Sequence, residues 1–291
     1  MPPLSPLRCS KAMEELHYEH VVLKVVRDSR TDLSGNIRLG YPFDVIRDKV
    51  INKGRADFRV GHQHDDHGDL TADEKVLLYC FVNMKLHFFE ALSTFRAYKA
   101  ILKSLFDSKF PTRMVDLGCG PGTAGLALAE CLKQPDVRYV GLDNAKAMLR
   151  KATSMLQAAI DGSLLGKKST LTMASSWSNL RRFPAAYTAP TTAFFNATYL
   201  FASDSLDVDD VCKAVMAYKD SSHVKRLLFV YCNTHTEISG EKFQAFKKSL
   251  KGEFTSIGQI KTSITYCKKR SSNSIDSTTF VRELLDFKGD L

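Results

Sequence analysis

The chain has no apolar run near the roughly 20 residues that a membrane helix needs, so the sequence is not expected to enter a membrane. Its opening residues lack the unbroken apolar segment of a secretory leader. Glu14, Glu15 and Glu19 interrupt them, and the same acids argue against an organellar transit peptide. The seven cysteines (Cys9, Cys80, Cys119, Cys131, Cys212, Cys232 and Cys267) are scattered and never form C-x-x-C. That spacing suits neither a disulfide framework nor a zinc or iron–sulfur motif, and it points to reduced thiols in a cytoplasmic protein. Repeats and low-complexity tracts are absent too, which sets aside solenoids and disordered linkers. What remains is a composition of 44% hydrophobic and 25% charged residues over 291 positions, enough for one large domain or one domain with an appendage.

Charge is present but uneven. The formal net charge is +9, and residues 213–270 carry 12 Lys or Arg against Asp220, Glu237, Glu241 and Glu253. A basic surface of this kind suits an anionic partner such as RNA, with Lys268, Lys269 and Arg270 as candidate phosphate contacts. A solvated face of helices and loops accounts for it equally well.

The most informative stretch is Met114-Val115-Asp116-Leu117-Gly118-Cys119-Gly120-Pro121-Gly122-Thr123, followed by the helix-forming Ala124–Leu132. It reads as strand, glycine-dense turn and helix N-terminus, a place where backbone can approach a ligand that a Cβ would push away. The nicotinamide fingerprint G-x-G-x-x-G requires a third glycine where Thr123 stands; the pattern here is D-x-G-x-G-x-G. A second strand, Val137–Leu142, ends in Asp143, 27 positions after Asp116. A carboxylate at that strand end suits a ribose, whose two hydroxyls can both donate to it.

The D-x-G-x-G-x-G run resembles motif I of the class I S-adenosylmethionine (SAM)-dependent methyltransferases. The resemblance extends over about Met114–Phe287 and is specific for the first two strands. It implies SAM as cofactor, with Gly118, Cys119, Gly120 and Gly122 backing the methionine part and Asp116 acting near its ammonium. Asp143 and the adjoining Asn144 would then serve the ribose. Ser175, Ser176 and Trp177, the only tryptophan, would lie around the adenine. Asn196, after a strand ending Phe194-Phe195, resembles motif IV without its two prolines. With Tyr199 it would position a substrate, or it would cap backbone near the cofactor.

The fold class expected is therefore α/β: a doubly wound, mostly parallel seven-stranded sheet with one antiparallel strand. The short connection 268–277 makes the last two strands antiparallel neighbours. Residues 1–110 read as a helical N-terminal cap and 111–291 as the SAM-binding domain. In the cap, Thr71 and Glu74 form a helix-start signature. The following helix carries Tyr79, Asn83, His87 and Glu90 as one polar stripe on an otherwise apolar cylinder. The stripe is either a solvent face or a lining of the cleft; in the second case a neutral His87 serves as general base. The cluster His62, His64, Asp65, Asp66, His67 has ligand-type residues at a spacing foreign to zinc sites, so no metal is expected. The acceptor is read as a small molecule or nucleoside-like group, with RNA and a catalytically inactive scaffold as alternatives. Oligomeric state is not legible.

Overall fold

The computed structural model describes residues 5–27, 43–63, 69–108, 110–182, 191–221, 224–234, 236–250, 252–267 and 275–287. The strands are β1 (Thr112–Leu117), β2 (Arg138–Leu142), β3 (Thr170–Ala174), β4 (Thr191–Thr198), β5 (Val224–Thr234), β6 (Phe254–Ser256), β7 (Ile260–Cys267) and β8 (Ile275–Phe287). They build one sheet in the order β3-β2-β1-β4-β5-β8, with β6 and β7 both paired to β8. The first five run parallel and β8 runs antiparallel to β5. β6 pairs with residues 285–287 of β8 and β7 with residues 275–282. They are two lengths of one edge strand, interrupted where Gly258 takes φ +68°. The sheet thus has seven strand positions and a single antiparallel one, as the sequence leads one to expect.

Strand side chains alternate between faces. Met114, Phe194 and Leu228 enter one apolar cluster, while their neighbours Val115, Phe195 and Phe229 enter the other. The second cluster is closed by α8 (Val208–Ser221) and α9 (Glu237–Ser249), with Val211, Val215, Phe243 and Phe246 buried in it. The first lies under α6 (Thr123–Leu132) and α7 (Lys146–Asp161).

The N-terminal segment comprises α1 (Lys11–His17) and α2 (Leu23–Arg27), joined through a π-helical stretch Tyr18–Val22, then α3 (Phe43–Val45), α4 (Ala72–Ala97) and α5 (Lys99–Phe106). α4 begins with the expected capping box: Thr71 Oγ1 accepts from the Glu74 N–H at 3.3 Å and Glu74 Oε2 accepts from the Thr71 N–H at 2.8 Å. By length and composition this 26-residue helix could cross a membrane, although no long apolar run was legible. It packs instead along α6 and α7. Its Cys80, Met84, Phe88, Leu92 and Phe95 share one buried cluster with Met13 and Val50 before it and Leu126 and Leu156 after it. The helices before residue 110 are therefore a layer of the same core as the sheet. The attachment reaches further: the Leu7 N–H donates to the Thr265 carbonyl at 2.8 Å and the Cys267 N–H to the Leu7 carbonyl at 3.1 Å, adding Leu7 to the β7 edge.

Candidate cofactor and acceptor site

The turn after β1 is built from left-handed backbone: Gly118, Gly120 and Gly122 have φ of +67°, +51° and +80°. Residues with a Cβ rarely adopt such angles, which is why glycine recurs here. A Cβ placed on Gly122 would stand 3.2 Å from Leu156 and one on Gly118 3.1 Å from Leu200, whereas one on Gly120 would meet nothing within 4 Å. Gly120 therefore faces open space at the C-terminal edge of the sheet. The Cys119 side chain goes the other way. It is buried, and burial first, then Asp116 and Asp143, pushes its thiol well up. Its part in the turn is its backbone, whose N–H donates to the Leu142 carbonyl at 2.9 Å.

Asp143 holds this turn to the end of β2. Its Oδ2 accepts from the Gly120 N–H at 3.0 Å and its Oδ1 from the Ala145 N–H at 2.9 Å. Each oxygen keeps a second lone pair, so the carboxylate can accept from a diol as well. Burial raises its pKa, and the two backbone donors oppose the rise. Asn144 beside it is exposed. Beyond β3, Ser175 and Ser176 are exposed, with the Ser176 and Ser178 hydroxyls 2.9 Å apart. Trp177 is half-buried and packs on the cluster under α8.

Asp116 is enclosed. It accepts from the Tyr139 hydroxyl at 2.6 Å and from Asn196 Nδ2 at 2.8 Å. Burial pushes its carboxyl up to about 6 against the pull of these two donors. The register of β1 on β4 sets Asp116 opposite Asn196, and Thr198 Oγ1 donates to Asn196 Oδ1 at 3.0 Å. Asn196 thus differs from the expectation of a substrate-facing amide: both ends of its amide are bonded inside the protein, because a buried carboxylate next door needs a donor. What Asp116 offers a ligand is charge rather than surface.

The stripe on α4 lies along the same edge. His87 packs edge-on against Tyr199, ring centroids 4.0 Å apart, and lies 6.1 Å from the Tyr79 ring. Tyr199 follows β4 in a left-handed conformation, φ +63°, and its N–H donates to the Cys232 carbonyl at 2.9 Å. Its neighbour Leu200 is the residue against Gly118. One turn thus places an aromatic ring on the stripe and an aliphatic side chain on the glycines. At the other end of the stripe, burial raises the Tyr79 hydroxyl, and Cys80, Asp143 and Glu90 add to the rise. Glu90 is fully buried; it accepts from the Tyr199 hydroxyl and, at 2.7 Å, from Thr278 Oγ1. The stripe is covered from the N-terminal side. Phe58 lies edge-on to Tyr79 at 5.1 Å, and the left-handed turn Asn52-Lys53-Gly54 sits over Asn83 and Tyr79. Lys75, buried, fastens that cover by donating to the Asp57 carbonyl at 2.8 Å. The stripe is therefore not a solvent face: it is covered by Phe58, the Asn52–Gly54 turn and Tyr199.

Residues 109–161, from the end of the N-terminal layer through α7, match the family model described as a methyltransferase domain. That stretch of the chain is similar to a methyltransferase domain, and the sheet around it is the mostly parallel one with a single antiparallel strand that the motif I resemblance implies. The open face at Gly120 and the free lone pairs of Asp143 fit SAM, the cofactor that the resemblance implies. No curated protein matches the chain. Among solved structures it is similar to magnesium protoporphyrin IX methyltransferase from Synechocystis PCC 6803 with bound SAM, at 12% identity over 91% of this chain and 96% of that one, TM-score 0.42. It is similar also to precorrin-6y C5,15-methyltransferase from Geobacter metallireducens GS-15, at 11% identity over 66% and 89%, TM-score 0.41. A proposed rRNA-methylase from Clostridium thermocellum stands at 15% over 67% and 97%, TM-score 0.41. Likenesses this distant say nothing about the acceptor.

Four of the twelve basic residues in 213–270 are engaged by internal partners. Lys219 pairs with Glu253, Arg226 with Asp286 at 2.8 Å, and Lys247 with the buried Glu283 at 3.0 Å. Lys242 donates to the Ser203 and Asp204 carbonyls. Lys268, Lys269 and Arg270, and most of the His64–His67 cluster, lie outside the described residues. His62 pairs through its backbone with Leu70. Among the described residues no three His, Cys, Asp or Glu side chains are grouped as a metal ion would need.

Three residues of the site escape a reading of the sequence. Tyr139 carried a signal: a hydroxyl in a strand of apolar residues must find a partner once buried. Glu90 was visible only as one member of a stripe, and Thr278 gave no sign of its own.

Proposed function

We propose that the chain is a SAM-dependent methyltransferase that acts on a small molecule or nucleoside-like group, held between the glycine turn and the α4 stripe. The observation that carries this reading is the cover of the stripe. Phe58, the Asn52–Gly54 turn and Tyr199 pack against Tyr79, Asn83 and His87, so the polar groups of the stripe lie among aromatic rings and under cover rather than along an exposed basic face. The internal pairing of Lys219, Arg226 and Lys247 weakens the case for RNA in the same direction. Its free cysteines suit action in the cytoplasm.

When bound, SAM supplies an already activated methyl group. The protein's share is then alignment and exclusion of water. The turn at Gly120 and the Asp143 carboxylate seat the cofactor, and the stripe, its cover and Tyr199 orient the acceptor. Incubation with radiolabelled SAM and separate RNA, protein and small-metabolite fractions tests the proposal. Label in the metabolite fraction supports it. Label confined to RNA, together with SAM binding by calorimetry, replaces it with the RNA reading.

A further inference from the structure

Two buried polar atoms on the stripe have no hydrogen-bond partner among the described residues: Asn83 Nδ2 and His87 Nδ1. They stand one helical turn apart on the same face of α4, under the same cover. Unpaired buried polar groups are uncommon and call for a cause. His87 Nδ1 has an obvious one nearby, since it lies 3.5 Å from Glu90 Oε2. With Nδ1 turned inward, the 14% exposure of the His87 side chain falls on the remainder of the ring, which carries Nε2. Glu90 is anchored from its other sides by the Tyr199 and Thr278 hydroxyls, so it cannot turn away. A carboxylate fixed behind one imidazole nitrogen keeps that nitrogen protonated and leaves the other as a base. Beside it lies Asn83 Nδ2, a donor in want of an oxygen, and around both lie the Phe58, Tyr79 and Tyr199 rings.

We propose that the reacting group of the acceptor is a hydroxyl on an aromatic ring, that His87 Nε2 takes its proton, and that Glu90 is the positioning residue that holds His87 in the Nδ1–H form. This rests on the reading that the acceptor is small. An aromatic hydroxyl is acidic enough for an imidazole to deprotonate as it reacts, and the rings of Tyr79 and Tyr199 on either side of His87 favour a planar partner. Asn83 Nδ2 donates to a second oxygen on that ring. The proton passes to Nε2 while the oxygen lone pair forms the O–CH3 bond. The C–S bond breaks with its electron pair going to sulfur, so the positive charge moves from sulfonium to imidazolium and leaves as a proton to water. The products are a methyl ether and the neutral thioether. The groups facing His87 are Glu90, Tyr79 and Tyr199; of these, Glu90 is the carboxylate.

Two measurements test this. In full-length protein with 15N-labelled histidine, the His87 signals, assigned by their loss in His87→Gln, should show the Nδ1–H tautomer at alkaline pH. Glu90→Gln should shift the neutral His87 ring toward the Nε2–H tautomer. An Nε2–H tautomer in the wild type overturns the proposal without any variant having to fold. The second measurement gives 13C-methyl SAM and a small-metabolite extract to the enzyme and reads the methyl shift of the product. An aromatic O-methyl signal is expected, with kcat in His87→Gln down about 100-fold or more and KM little changed. In Glu90→Gln kcat should fall by a smaller factor, with part of it restored in Glu90→Asp. A methyl on nitrogen, carbon or sulfur overturns the proposal while leaving the small-molecule reading intact. No labelled metabolite at all removes both, and the tautomer then reports on Glu90 alone.

Discussion

Asp116→Asn should change how stability depends on pH, in a window that the geometry fixes. The Asp116 carboxyl is buried and pushed up to about 6 in the folded protein, against an ordinary value of 3.8. The folded state therefore holds a proton that the unfolded chain has already released between those two values. The contribution is fully present below about pH 4 and is lost as pH rises through about 6. A shift of roughly 2 units corresponds to about 3 kcal/mol, since one unit is about 1.4 kcal/mol. Asparagine does not titrate. The wild-type stability minus that of Asp116→Asn, from urea unfolding at pH 4, 5, 6 and 7, should thus fall by about 3 kcal/mol across the series. Taking the difference cancels the other carboxylates, apart from Asp143, which also raises Asp116. Tyr139→Phe removes the 2.6 Å donor and should cost about 1.5–3 kcal/mol at pH 7 and less at pH 4, where the carboxyl is protonated. A difference that stays flat with pH, or rises, would refute the enclosed, costly charge described for Asp116.

Gly120→Val should abolish SAM binding by calorimetry in a protein that still unfolds cooperatively, because its branches fill the open face of the turn; an unchanged Kd would sink the cofactor assignment. Asp143→Ala strips the acceptor from the Gly120 and Ala145 N–H groups together with any ribose contact. It should weaken SAM by about 2–4 kcal/mol, roughly 30- to 1000-fold, and an effect under about threefold would show that Asp143 does not serve the cofactor. Thr71→Ala breaks the capping box of α4 and should cost about 1 kcal/mol in urea unfolding without altering SAM affinity. Lys247→Met leaves Glu283, 1% exposed, with the Ser256 hydroxyl as its remaining donor in this cluster, and should cost about 3–5 kcal/mol; a neutral result would mean that water reaches the site.

The parts legible in the sequence were those that local chemistry dictates. The glycine turn had to sit between a strand and a helix, because left-handed backbone, strand alternation and helix period each left their mark around Gly118–Gly122. The antiparallel last strand followed from a connection too short for a crossover. Pairing across the sheet leaves no such mark. Nothing in the residues around Asn196 says that β4 sets it beside Asp116, so an amide that looked available for substrate is engaged in the core. The break between β6 and β7 was hidden for a related reason: Gly258 reads as one glycine among several until its edge strand is seen to stop there. α4 obscured its own role by being apolar on most sides, and only packing on α6 and α7 distinguishes the polar stripe of such a helix from its core face.

The pairing of Leu7 with Thr265 and Cys267 has a consequence in time. Synthesis proceeds from the N-terminus, at about 5–20 residues per second. Leu7 therefore emerges well before the strand edge that receives it. α1 can settle on α4 as soon as that helix exists, but the segment ahead of it stays unpaired until β7 and β8 are complete. Contacts this far apart in sequence are among the last that diffusion and loop closure deliver. The Leu7 bridge is thus a latch that closes after the sheet, and protection of the Leu7 and Cys267 amides from exchange should be among the latest signals to appear on refolding.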